Sequence, residues 1–164
     1  MRTLSLIRHS IAQEPEEVEN DFDRKLTEKG QALAYTMATK IPQEYIQNAL
    51  FISSSAPRAL ETAYIFAKYH KIQEKDIIQH EFLYSCFKEH SFFYFLDEIA
   101  PKHSNCWVFG HNPMLSNIMA ILQNKQTISM PKCAVAIFNT EAQRWIDVNH
   151  NNVKLVKFLN PKQI

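Results

Sequence analysis

Apolar residues fall in short runs that alternate with longer stretches of mixed character. Thr3 to Arg8 carries Leu4, Leu6 and Ile7 and then turns polar at once, which predicts a buried strand. Leu50-Phe51-Ile52-Ser53 and Cys106-Trp107-Val108-Phe109 repeat that pattern. The stretches between them read as helices. Thr27 stands where a cap belongs, Glu28 favours the helix dipole, and Ala32, Leu33, Tyr35, Met37 and Ala38 give one apolar side before Pro42. Pro57 opens a second helix, continued by Leu60, Ala63, Ile65, Phe66 and Ala67. Ser91 to Ile99 and Met114 to Leu122 read as two more.

The remaining segments are less regular. Residues 11 to 25 are acidic and polar and read as a loop. Residues 73 to 82 are mixed and hold a candidate short strand. Ala134 to Asn139 and Arg144 to Val148 read as a hairpin, and Val153 to Leu159 as another strand or an extended tail. Strands alternating with helices predict an α/β layer fold with a largely parallel sheet. No repeat, low-complexity stretch or linker interrupts the 164 residues, so a single domain over 1–164 is expected.

Composition narrows the function classes. The chain is 46% apolar and 21% charged, with a formal net charge of +1, so no bulk basic field points to nucleic acid. No run is long enough to span a membrane and the N-terminus turns polar too soon for a signal peptide, so a cytoplasmic protein is expected. Cys86, Cys106 and Cys133 are odd in number and widely spaced, which predicts buried or half-buried free thiols. Only two glycines occur, Gly30 and Gly110, so neither of the usual glycine-rich nucleotide loops can be built.

The chemistry-bearing residues gather where the predicted strands end. The clusters are Arg8-His9-Ser10, Ser53-Ser54-Ser55-Ala56-Pro57-Arg58 and Gly110-His111-Asn112-Pro113. Ligands of open α/β sheets bind beyond the carboxyl ends of the strands, so the clusters are expected to converge. Two arginines and two histidines in one place make an anion site, and phosphate suits forked guanidinium donors. Phosphate or sulfate is the expected occupant. Taken singly, each of these residues would be an ordinary surface or hydrogen-bonded side chain, Arg58 pairing with Glu61.

These motifs resemble the histidine phosphatase superfamily, the phosphoglycerate-mutase-like proteins, and within it the short SixA-type phosphohistidine phosphatases. The resemblance rests on Leu6-Ile7-Arg8-His9-Ser10, Leu26-Thr27-Glu28-Lys29-Gly30, Arg58-Ala59 with Glu61-Thr62-Ala63, Leu83-Tyr84, and Val108 to Pro113, in the family's order. It implies a three-layer α/β sandwich with a mostly parallel central sheet flanked by helices. It also implies that His9 is a nucleophile forming a phosphohistidine intermediate. Arg8, Arg58 and His111 would then be catalytic and bind the phosphoryl oxygens, with Ser10 a further substrate-binding candidate. No metal or other cofactor is needed where arginines supply the charge.

Two departures from the family pattern bear on substrate. Ser55 stands where a proline is usual, with Pro57 next to Arg58. Larger members carry an acid two residues after a mid-chain leucine, and counting from Leu83 gives Ser85; Glu81 and Glu89 lack that spacing. An alkoxide leaving group needs a proton, whereas a phosphoimidazole protonated on its other nitrogen can leave as neutral imidazole, whose conjugate acid has a pKa of about 6.5. The expected substrate is therefore phosphohistidine in a protein, and a monomer is expected. A small-molecule phosphomonoesterase and a non-catalytic phosphohistidine-binding adaptor are the alternatives. Arg24 is a further candidate for contact with phosphate or a partner, and Asn112 is expected to shape its turn. His70, His80, His90, His103 and His150 lack metal spacing and are expected in solvated positions. Phe92-Phe93-x-Phe95 is expected in the core.

Overall fold

The computed structural model describes residues 1–85 and 89–164, without the side chains of residues 89 and 90. The strands are β1 (Arg2–Arg8), β2 (Leu50–Ser54), β3 (Ile78–His80), β4 (Asn105–Gly110), β5 (Val135–Thr140) and β6 (Val153–Leu159). They form one six-stranded sheet in the order β3-β2-β4-β1-β5-β6. The first four in that order run parallel, whereas β5 and β6 are antiparallel to their neighbours. The helices are α1 (Glu28–Thr39), α2 (Gln43–Ile46), α3 (Pro57–His70), α4 (Phe82–Ser85), α5 (Glu89–Ile99) and α6 (Met114–Leu122).

Period-two alternation along the strands sorts the core into two layers. Leu4, Leu6, Cys106, Val108, Ala136 and Phe138 pack with Phe92 and Leu96 of α5 and Leu115 and Ile118 of α6. Ile7, Phe51, Trp107, Phe109, Val135 and Ile137 face the other way, onto Ala34 and Met37 of α1 and Ala63 and Phe66 of α3. The result is an α/β sandwich with a mixed central sheet flanked by helices, matching the phosphoglycerate-mutase-like fold. Among the described residues, no helix is long and apolar enough to cross a membrane.

Local chemistry sets the joints. Thr27 caps α1 by accepting from the Gly30 N–H at 3.0 Å. Pro57 starts α3, and Ser54 Oγ accepts the Ala56 N–H at 3.2 Å, so the turn through Ser55 is closed without the usual proline. Gly30 is required by close approach: a Cβ there would lie 1.9 Å from the Ile11 carbonyl oxygen. With so few glycines, left-handed backbone falls to Asn48, Lys71, Asn124 and Cys133, at φ of 56°, 61°, 51° and 63°. Cys133 there reaches back to the end of β1, its N–H donating to Arg8 O and His9 O.

Several sequence expectations need correction. Arg144 to Val148 is not a strand: Trp145–Asp147 is a 3₁₀ turn. Trp145 is buried there, with its indole N–H on Ala100 O at 3.0 Å, so its apolarity serves the core rather than a ladder. The hairpin partner of β5 is β6, paired from Val135↔Leu159 to Thr140↔Val153. His70 is buried on α3, its Nε2 3.2 Å from Ala38 O, whereas His80, His103 and His150 are exposed. Phe92, Phe93 and Phe95 are core residues. Cys106 and Cys133 are buried free thiols, each pushed up to about 12 by burial. The expectations for Cys86, Glu89 and His90 fall outside what the structure describes.

Candidate active site

The three clusters meet because β2, β4 and β1 are adjacent and parallel. Arg8 lies opposite Gly110 in the register, and the His9 N–H donates to Gly110 O at 3.0 Å, which carries the pairing one residue past β1. His9 is buried, and its ring centroid is 5.1 Å from that of His111. His9 Nδ1 is 2.7 Å from Ser10 O. A carbonyl only accepts, so Nδ1 carries the proton and Nε2 keeps a free lone pair. Burial, then the neighbouring His111, holds the His9 pKa down to about 2, with Arg58 and Arg8 acting the same way against the Ser10 hydrogen bond. His111 is held down to about 3 by burial and Arg58, partly offset by Asp21. Both rings are therefore neutral near pH 7.

Arg58 lies in the first turn of α3 and is buried. It donates from Nη1 to Asp21 O at 2.6 Å and from Nη2 to Asp21 Oδ2 at 2.8 Å. Arg8 donates from Nη1 to Met130 O at 2.9 Å, and Asn112 Nδ2 donates to the same carbonyl at 3.0 Å. His111 Nε2 is 2.8 Å from Ser54 Oγ. Arg8 Nε, Arg58 Nε and His111 Nδ1 are buried and have no hydrogen-bond partner. A buried donor without an acceptor is costly, and guanidinium edges beside two neutral imidazoles form a cradle for a tetrahedral anion. Among the described residues, no group of three or more histidine, cysteine or acidic side chains could hold a metal ion.

Arg8, His9, Arg58 and His111 are thus brought together as the sequence implied. Ser10 sits beside them but its hydroxyl is committed elsewhere, donating to Gly30 O at 2.7 Å. Its N–H donates to Thr62 Oγ1, which itself donates to Arg58 O at 2.7 Å, so Ser10 and Thr62 tie β1 to α3. Glu61 does not pair with Arg58; it accepts the Leu26 N–H at 2.7 Å. Arg24 is engaged by Asp21 Oδ1 at 2.9 Å and Gln13 O at 2.5 Å. Ser85 is exposed, its hydroxyl on Glu81 O, and Glu81 is exposed as well.

Sequence reasoning missed Asp21 and gave Tyr84 no role. Asp21 opens a 3₁₀ turn (Asp21–Asp23) inside the polar loop. Tyr84, on α4, donates to Asp21 Oδ2 at 3.1 Å. Its ring meets His111 edge-on at 5.4 Å and lies 5.7 Å from the Arg58 guanidinium. Burial pushes the Asp21 carboxyl up, but the Arg24 hydrogen bond, the Arg58 charge and the Tyr84 and Arg58 hydrogen bonds outweigh it and hold it below the usual carboxylate range. The only local signal for Asp21 was an acidic residue three positions before Arg24, in a segment rich in such residues.

Fold and site together define an α/β sandwich of the phosphoglycerate-mutase-like type with an anion cradle at its parallel strand ends. The model of the histidine phosphatase superfamily (branch 1) matches residues 4–84. Among solved structures, one from Agrobacterium tumefaciens described as a phosphohistidine phosphatase SixA is similar at 21% identity and TM-score 0.77, covering 98% of both chains. One from Nakamurella multipartitia with the same description is similar at 19% identity and TM-score 0.73, covering 98% of this chain and 96% of its own. A mycobacterial glucosyl-3-phosphoglycerate phosphatase shares the fold at 11% identity and TM-score 0.70, covering 96% and 98%. No curated protein matches the sequence.

Proposed function

We propose that the protein removes the phosphoryl group from phosphohistidine in another protein, through a phosphohistidine intermediate on His9, with residues 1–164 acting as one domain. The observation that carries this reading is the 2.7 Å contact of His9 Nδ1 with Ser10 O, which leaves Nε2 unprotonated beside Arg8, Arg58 and His111. Nε2 attacks phosphorus and the bond to the substrate imidazole breaks, that ring being protonated on its other nitrogen so that it leaves as neutral imidazole. Arg8, Arg58 and His111 hold the phosphoryl oxygens as charge spreads over them. Water then attacks phosphorus, the bond to Nε2 breaks, and phosphate leaves with His9 Nδ1 still protonated.

The choice of phosphohistidine rests on the leaving-group side. Among the described residues, Asp21 is the carboxylate that contacts the cradle, and its neighbours keep it ionised, so it is a poor proton donor at neutral pH. A departing imidazole tolerates that and an alkoxide does not. The SixA descriptions of two similar structures support the same reading. The test compares kcat/KM for a phosphohistidine peptide with that for a phosphoserine peptide and an alkyl phosphate. A preference of about a hundredfold or more is expected, and equal rates would overturn the substrate assignment. His9→Asn abolishes turnover and the acid-labile label on His9 while keeping peptide binding. Wild-type protein that binds and never turns over would make it an adaptor.

A further inference from the structure

A cleft of about 640 Å³ is lined in part by Arg8, at the end of β1. Its cationic lining is Arg8, Lys29, Lys132 and Lys162, and its lining includes no acidic residue. These side chains come from β1, the first turn of α1, the turn before β5 and the C-terminal 3₁₀ turn. In a chain of net charge +1 this is a local concentration rather than a general bias. Among the described residues, none of the three lysines is in an ion pair. Ile11 and Leu33 contribute an apolar floor.

Two tethers hold the cleft beside the active site. Lys29 adjoins Gly30, whose close approach to Ile11 locks α1 against the segment after His9. Lys132 adjoins Cys133, whose N–H donates to Arg8 O and His9 O. Arg8 belongs to both places, since it lines the cleft and has its buried Nε in the anion cradle.

We propose that this cleft receives an acidic segment of the substrate protein next to its phosphohistidine. The proposal rests on the phosphohistidine reading above. Lys29 and Lys162 are exposed and Lys132 is half-buried. Flexible, solvated ammonium groups on separate elements suit several carboxylates spread along a chain. A single small anion would be held better by buried, forked donors. Such contacts speed encounter and lower KM, and salt screens them.

The test is the triple reversal Lys29→Glu, Lys132→Glu and Lys162→Glu. On a phosphohistidine peptide with acidic flanks, kcat/KM is expected to fall about tenfold or more, mainly through KM. On the same peptide with neutral flanks it is expected to stay within about twofold, which also reports an intact fold. Raising salt from about 50 to about 300 mM lowers wild-type kcat/KM for the acidic peptide and leaves the variant flat. An equal effect on both peptides, or no effect on either, overturns the cleft. Binding of the unphosphorylated acidic peptide, read by fluorescence anisotropy, separates this proposal from the one above. Binding that is lost in the triple variant supports the cleft even if wild-type protein turns over neither peptide. Undiminished binding overturns it. Inhibition by 2,3-bisphosphoglycerate is the small-molecule arm: selective loss of that inhibition, with peptide binding kept, would overturn the acidic-segment assignment.

Discussion

Arg8, His9 and His111 ride on or just past the ends of adjacent parallel strands, whereas Asp21 and Tyr84 come from a 3₁₀ turn and a four-residue helix. On the strand side His9 and His111 are buried and their imidazoles are held neutral. The Asp21 side chain is half-exposed and sits in a ring of hydrogen bonds from Arg24, Arg58 and Tyr84. Arg58 joins the two regions, its Nη groups on Asp21 and its Nε unpartnered. Backbone ladders fix the position of the first region. The second is positioned by side chains and can exchange partners at small cost. A rigid nucleophile with an adaptable rim suits a substrate presented on another protein.

The comparison can be broken in three ways. Arg58→Ala should lower kcat/KM about 10²- to 10³-fold, as expected for loss of one preorganised donor to the transition state. An effect under tenfold would mean that Arg58 belongs to the rim rather than the cradle. Asp21→Ala should cost about tenfold, since it misdirects Arg58 without removing its charge, with partial recovery in Asp21→Asn. The two regions act separately only if phosphohistidine and alkyl phosphate suffer alike. A selective loss on alkyl phosphate would make Asp21 a proton donor in the complex.

The third test concerns pH. His9 and His111 titrate at about 2 and about 3 in the native site, far below the ordinary value of 6.5. Between those limits the unfolded chain binds protons that the native site refuses. The stability these rings contribute is therefore full above pH 6.5 and is lost as pH falls, on the order of 2 kcal/mol per ring by pH 5. Urea unfolding at pH 7.5 and pH 5 measures it. A flat profile would mean the strand side is as open to protonation as the rim.

The parallel part of the sheet and its strand-end clusters were legible because buried strands announce themselves as short apolar runs and helices by capping and spacing. The antiparallel edge was not. Arg144 to Val148 and Val153 to Leu159 both offer apolar residues after β5, and only core packing of Trp145 on Ala100 decides between them. His70 was misplaced for a related reason, since nothing local says that α1 covers that face of α3.

The sequence by itself determined which residues could attack and clamp a phosphoryl group. Residue type sets donor count and proton affinity, and strand ends are visible in one dimension. Tertiary structure decided the proton on His9, the partner of Arg58 and the place of Asp21. Each depends on an atom distant along the chain or on a backbone carbonyl that every residue possesses, so no residue pattern encodes it. The same holds for the lysines beside Arg8, which share a cleft only because three separate elements are tied to the end of β1 or close around it.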